Sequence, residues 1–197
     1  MIPQIMAEFS EKYPNVNVSI WEEAYSIQER LLLNDQLDFG IFNETREHPK
    51  LEYELLKKEE ILLVMPPDHP LVSSGYQSPS DRYPRIDLST LANESFILHF
   101  PEQTTGKLVL EALEHAGIQP RVPIRSRNTE TCVKLCMQGM GMCFTPETYL
   151  QNMEFSRKPA CFSVGEKGIF TTLSIAFRRG TYFPKYARDF IEIARKK

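Results

Sequence analysis

The spacing of apolar residues switches repeatedly along this chain between a helical period and a strand period, and that alternation limits the fold more than any other feature. Ile2, Ile5, Met6, Phe9 and Tyr13 recur at helical spacing until Pro14-Asn15. Val16, Val18 and Ile20 then alternate with polar residues, which predicts a strand over Val16–Trp21. Ser26 and Glu29 have capping-box spacing and would open a helix that buries Ile27, Leu31 and Leu32. Strands are predicted at Leu37–Phe42, at Leu51–Leu55 and, as a solid apolar run ending at Pro66-Pro67, at Ile61–Met65. Residues 72–87, rich in Ser, Gly, Tyr and Pro, read as an exposed loop. After a buried strand at Phe96–Phe100, Thr104 or Thr105 caps a helix with the stripe Val109, Ala112 and Leu113, closed by Gly117. A short strand at Val122–Ile124 precedes a helix capped by Asn128 or Thr129 and carrying Val133, Cys136 and Met137. Gly139 and Gly141 lead into the strand Met142–Thr145. Phe170–Phe177 is the last strand, and Pro184 opens a final helix with Ala187, Phe190, Ile191 and Ala194 inside. The opening order of helix, strand, helix, strand implies parallel pairing through right-handed crossovers, and the alternation from end to end predicts an α/β protein.

Composition removes several functions. The 197 residues suffice for one domain or two small lobes. With 23 basic against 26 acidic residues the net charge is −3. A free-standing nucleic-acid binder uses a basic excess to neutralise phosphates. The basic runs here (Lys57-Lys58, Arg178-Arg179 and Arg195-Lys196-Lys197) are short and scattered, as on a solvated surface. No apolar run approaches the roughly 18–20 residues that span a bilayer, and the first ten residues lack the pattern of a secretory signal. A cytoplasmic protein is expected. Cys132, Cys136, Cys143 and Cys161 read as buried structural thiols, and the four histidines are too dispersed for a metal site. No GxSxG elbow, GxxxxGK[ST] loop or GxGxxG turn is present. Glu22 and Glu23 lack a positioned partner and read as a solvated turn. The expectation is a protein that is not an enzyme and carries neither cofactor nor metal.

Several segments, in order, resemble the LysR family of transcriptional regulators. Ile2-Pro3-Gln4-Ile5 with Phe9, followed by Tyr13-Pro14-Asn15-Val16, is similar to LPxLLxxF leading to YPxVxV. Leu37-Asp38-Phe39-Gly40-Ile41 resembles LDLAI, and the run from Ile61 to Asp68-His69-Pro70-Leu71 resembles LVLVVPxDHPL. Leu88 to Ile97 is similar to DLxxLADEPFI, and Gln138-Gly139 to Pro146 to AGLGIALLP. Arg178 to Ala194 fits the family's closing segment. The resemblance implies a two-lobed fold of the type II periplasmic-binding-protein class, with two crossing strands between lobes. Lobe I would comprise residues 1–66 with 167–197, lobe II residues 67–166. It also implies that a winged helix-turn-helix, a linker helix and the domain's first strand would precede this chain, which opens inside the first helix.

On that resemblance the chain is the effector-sensing domain of a regulator, with a small molecule, a carboxylate among the candidates, bound in the interlobe cleft. It would contact DNA only through the N-terminal domain, pair with copies of itself, and have no membrane role. The alternative is a solute-binding protein of a transport system with the same fold. In an α/β sheet, ligands sit beyond the carboxyl ends of parallel strands, facing helix N-termini that offer free amides. Candidate ligand-binding residues are therefore Ser26 and Asn43 in lobe I, with His99, Phe100, Gln103, Thr104, Asn128 and Thr129 in lobe II. Ser26 falls where the family places a ligand-contacting Ser or Thr. Asn43 stands where relatives that sense dicarboxylates often carry a basic residue, which argues against a strongly anionic effector. His99 has two readings, a group titrating near neutrality or a satisfied structural histidine.

Overall fold

A computed structural model describes residues 1–43, 47–77, 79 and 81–196. In chain order the elements are α1 (Ile2–Lys12), α2 (Tyr25–Leu33), β1 (Gly40–Phe42), β2 (Leu51–Met65), β3 (Arg85–Ile86), β4 (Ser95–Leu98), α3 (Thr104–His115), β5 (Arg121–Arg125), α4 (Thr129–Met137), β6 (Met142–Pro146), α5 (Glu147–Gln151), β7 (Ala160–Val164), β8 (Ile169–Arg178) and α6 (Lys185–Arg195). The chain divides into two compact units, Met1–Lys58 with Thr172–Lys197 and Glu59–Thr171, and both β2 and β8 have residues in each.

The second unit is a sheet covered on both faces. β6 pairs in parallel with β4, and β4 with β5, the arrangement that helical crossovers allow. On the other side of β6, β2 pairs with it antiparallel (Val64 opposite Cys143), then β7 pairs with β2, and β3 with β7. Successive side chains of β2 point to opposite faces. Leu63 and Met65 enter one core with Phe96, Val109 and Leu113, beneath α3. Val64 enters the other with Cys132, Val133, Cys136 and Cys143, beneath α4. Burying apolar surface on both faces is what makes these strands continuous hydrophobic runs. The cysteines of this second core are free thiols. Burial pushes Cys132 up to about 11 and Cys161 up to about 12, so both stay protonated at neutral pH.

In the first unit α1 packs on α6 through Ile5, Phe9, Ile193 and Ala194. Phe9 meets Phe190 edge-on at 5.3 Å. Asp189 of α6 receives the hydroxyl of Tyr13 at 2.5 Å and the ammonium groups of Lys12 at 2.5 Å and Lys185 at 3.1 Å. These three donors, Lys12 foremost, hold its carboxyl well below the usual carboxylate range. β1 pairs antiparallel with β8, Gly40 opposite Ala176, over a core of Leu32, Phe42, Leu51 and Ala176.

Several sequence expectations need correction. Val16–Trp21 forms no strand: residues 16–24 carry no regular structure, and Val18, Ile20 and Trp21 are exposed. Alternation yields a strand only where a neighbour satisfies its backbone, and no described strand pairs with this segment. The parallel pair expected in this part of the chain is consequently absent among the described residues, where β1 pairs with β8 alone. Leu51–Leu55 and Ile61–Met65 are one 15-residue strand. The loop expected over 72–87 is partly ordered: Tyr76 and Arg85 exchange backbone hydrogen bonds, and Ile86 is fully buried in β3. Ser78 and Ser80 of that loop, like Lys197 of the last basic run, lie outside the described residues. The pattern also missed β7 and α5.

Candidate functional site

Parallel pairing of β4 with β5, with Leu98 opposite Arg125, puts the carboxyl ends of two strands side by side. The turns that follow, residues 99–103 and 126–128, therefore meet and lead into α3 and α4. Cross-links between the turns hold this arrangement. Ser126 donates its backbone N–H to the Leu98 carbonyl at 3.1 Å. Arg125 donates Nη1–H to the His99 carbonyl at 2.9 Å. Gln103 donates Nε2–H to the Arg127 carbonyl at 3.0 Å while its Oε1 accepts the Phe100 amide at 3.3 Å. The Arg127 guanidinium sits 5.0 Å from the Phe100 ring centroid and pairs with Glu102.

His99 is the centre of the cluster. Its ring is buried, 4% exposed, and Nδ1 lies 2.9 Å from the Ser126 carbonyl oxygen. Nε2 lies 3.4 Å from the Thr129 hydroxyl. Burial lowers the ring's pKa, and the Ser126 carbonyl only partly opposes that. His99 is thus a satisfied, neutral histidine at physiological pH, which favours the structural reading of it.

The other candidates divide by role. Asn128 is the N-cap of α4, its Oδ1 accepting from the Thr131 amide at 2.8 Å, as its sequence position predicts. Gln103, rather than Thr104 or Thr105, occupies the N-cap position of α3, and Thr104 is the first helical residue. Close packing explains the short turn: a Cβ on Gly106 would lie 2.2 Å from the Phe100 carbonyl oxygen, so only glycine lets α3 start against the loop. Structure therefore brings His99, Phe100, Gln103, Asn128 and Thr129 into one hydrogen-bonded cluster, with Thr104 next in the chain to Gln103. Ser126, Arg125 and Arg127 belong to it as well. They escaped the sequence reading because Ser126 and Arg127 act through their carbonyl oxygens and Arg125 by donating to one; the end of a predicted strand just before a helix cap was the available signal.

In the first unit Ser26 is exposed in the first turn of α2, whose N-cap is Ala24. The expected Ser26–Glu29 capping box is corrected accordingly: Ala24 accepts the Ile27 and Gln28 amides through its carbonyl, two residues ahead of the serine expected to cap. Asn43 is half-buried directly after β1. Tyr25 packs edge-on against Phe42 at 4.8 Å, which fixes the start of α2 against the end of β1. Ser26 and Asn43 thus flank one contact.

Two surface pockets lie elsewhere. One of about 340 Å³ is lined by Glu47, Leu51, Tyr53 and Arg179, and one of about 250 Å³ by His69, Glu94, Gly139 and Met140. Both are polar-lined and open, and neither contains a candidate residue. Among the described residues no His, Cys, Asp or Glu cluster could hold a metal ion, and no helix is long and apolar enough to cross a membrane.

Residues 1–197 match the family model described as the LysR substrate binding domain. The HTH-type transcriptional regulator AlsR of Bacillus subtilis is 26% identical over 149 residues, 75% of this chain and 46% of that protein, so the chain spans about half of that relative's length. The CcmR regulatory domain of Synechocystis PCC6803, solved in complex with 2-PG, superposes with a TM-score of 0.82 at 20% identity, covering 99% of this chain and 89% of that one. The effector binding domain of QuiR in complex with shikimate gives 0.76 at 19% identity, over 100% and 89% of the two chains. These likenesses show the fold, the α/β type II periplasmic-binding-protein-like class.

Proposed function

Because the chain belongs to the LysR substrate-binding domain family, we propose that it senses a small-molecule effector for a LysR-type transcriptional regulator, through a site that includes the β4–α3 and β5–α4 turns. The observation that carries this reading is the family match over the whole of residues 1–197, which favours it over a transporter's solute-binding protein. Geometry supports it. Helices α3 and α4 both begin at the His99 cluster, and the partial positive charge of a helix N-terminus suits an anionic or polar ligand. Thr129 and Thr104 are the contact residues proposed in this unit. Gln103 and Asn128 act as struts, since the hydrogen bonds already described occupy them. Ser26 and Asn43 are the contacts proposed in the first unit.

The effector acts by population shift: binding one conformation better than another biases the regulator between states. A small carboxylate is the proposed class, in line with what the QuiR domain's complex contains. A net charge of −3 supports placing DNA contacts in other parts of the full-length regulator, working in the cytoplasm as a homo-oligomer. A thermal-shift screen of small organic acids tests the proposal, because a ligand that binds only the folded state raises Tm by mass action. A saturable rise that is weakened in Thr129→Val and Thr104→Val is the expected result. A panel without any saturable shift, or shifts indifferent to both substitutions, would overturn it.

A further inference from the structure

The hydrogen bonds of His99 settle which way the Thr129 hydroxyl points. A carbonyl oxygen can only accept, so the 2.9 Å contact between His99 Nδ1 and the Ser126 oxygen requires the proton on Nδ1. A neutral imidazole carries one N–H, and this ring is neutral because burial lowers its pKa. Nε2 is therefore a bare lone pair. At 3.4 Å from it, the only proton able to lie between the two atoms is that of Thr129. The nearby thiol leaves this tautomer unchanged: Cys132 Sγ lies 4.0 Å from both Nδ1 and the Ser126 oxygen and, pushed up to about 11 by burial, remains a weak donor rather than a thiolate acceptor.

We propose that His99 is a positioning residue that turns the hydroxyl proton of Thr129 inward, so that Thr129 meets the effector as an acceptor and selects a ligand bearing an O–H or N–H donor at that point. This rests on Thr129 lying in the effector site, as proposed above. It sets Thr129 apart from its surroundings. The first amides of α3 and α4 donate and attract carboxylate oxygens, whereas the Thr129 oxygen, its proton committed to Nε2, repels them. The ligand class that satisfies both is a hydroxylated or amino-substituted acid: its acid group faces the amides and its donor faces Thr129. A plain carboxylate of the same size would leave that oxygen unpaired once water is displaced.

Two arms test this. Long-range ¹H–¹⁵N spectra of the histidines, with His99 assigned by substitution, read the tautomer without any ligand. A protonated Nδ1 and a pyridine-type Nε2 near neutral pH are expected; a proton on Nε2, or an imidazolium, overturns the proposal. The second arm compares the three monohydroxybenzoates with benzoate, and shikimate with cyclohexene-1-carboxylate. A donor hydrogen bond gained in this way makes the best hydroxylated probe bind about tenfold tighter than its matched partner. Thr129→Val reduces that ratio to about unity, and Thr129→Ser restores it. Equal or tighter binding of the unhydroxylated partners to the wild type, or an undiminished preference in Thr129→Val, overturns the proposal. If no probe of either kind binds, the effector-site reading fails, while the histidine spectrum still decides the direction of the hydroxyl.

Discussion

Gly106→Ala opposes two well-characterised effects, and the structure decides between them. In a helix interior the substitution stabilises by about 1 kcal/mol, because glycine has the greater backbone freedom to lose. At Gly106 the new methyl carbon would lie 2.2 Å from the Phe100 carbonyl oxygen, 2.9 Å from its carbonyl carbon and 3.0 Å from the His99 oxygen. Comfortable separation is about 3.5 Å, so something must move by about 1 Å. All three atoms belong to the main chain of the loop, which its hydrogen bonds to Gln103, Arg125 and Ser126 hold in place. Over-packing of this kind costs about 1–3 kcal/mol, more where no side chain can swing away. Net destabilisation of about 1–2 kcal/mol follows, a fall in Tm of about 2–8 °C for a chain of this size. Thermal unfolding followed by circular dichroism measures it, with Lys107→Ala as the control for propensity in the same turn. A Gly106→Ala protein melting at or above the wild type would refute the reasoning, for it would mean that the loop yields freely and does not pin the site.

Asp189→Asn removes an acceptor whose carboxyl is held below its ordinary range; that stabilisation is present above the unfolded carboxylate value of about 3.9 and is lost as pH falls through the lower folded value, so urea titrations across acidic pH should show a flatter acid limb in the variant. Asn128→Ala leaves the Thr131 amide without its 2.8 Å partner and should lower stability by about 0.5–2 kcal/mol, with Asn128→Asp largely preserving it in denaturant unfolding. Cys132, buried in the core beneath α4 with its thiol pushed up to about 11, should resist Ellman's reagent in the native protein at mildly alkaline pH, all four thiols reacting on denaturation. Rapid reaction of Cys132 in the folded chain would contradict its placement.

What could be read from the residues followed the reach of the forces involved. Period and caps are local, so α3, α4 and α6, the Asn128 cap and the left-handed Gly117 were legible, as was the existence of strands β4, β5 and β6. Strands whose existence depends on a distant partner were not. Val16–Trp21 has the right alternation but no pairing strand among the described residues, whereas β7 has an ordinary sequence and is a strand because β2 and β3 lie on either side of it. The Ser26 capping box failed for a related reason: helix α2 begins where Tyr25 packs on Phe42, its cap two residues ahead of the local signal. At the candidate site, residue types at strand-to-helix turns identified His99, Gln103, Asn128 and Thr129. Their division into struts and contacts depends on carbonyl partners such as Ser126, which no side-chain pattern encodes.

The effector-sensing assignment is tested most directly by mapping a bound organic acid onto the amide spectrum of the ¹⁵N-labelled chain. In the second unit the account predicts saturable shifts at His99 to Thr105 and Ser126 to Thr131, the turns that carry the His99 cluster and the first amides of α3 and α4. Shifts confined instead to the pocket lined by His69, Glu94 and Gly139, with residues 99–105 and 126–131 unmoved at saturation, would contradict it.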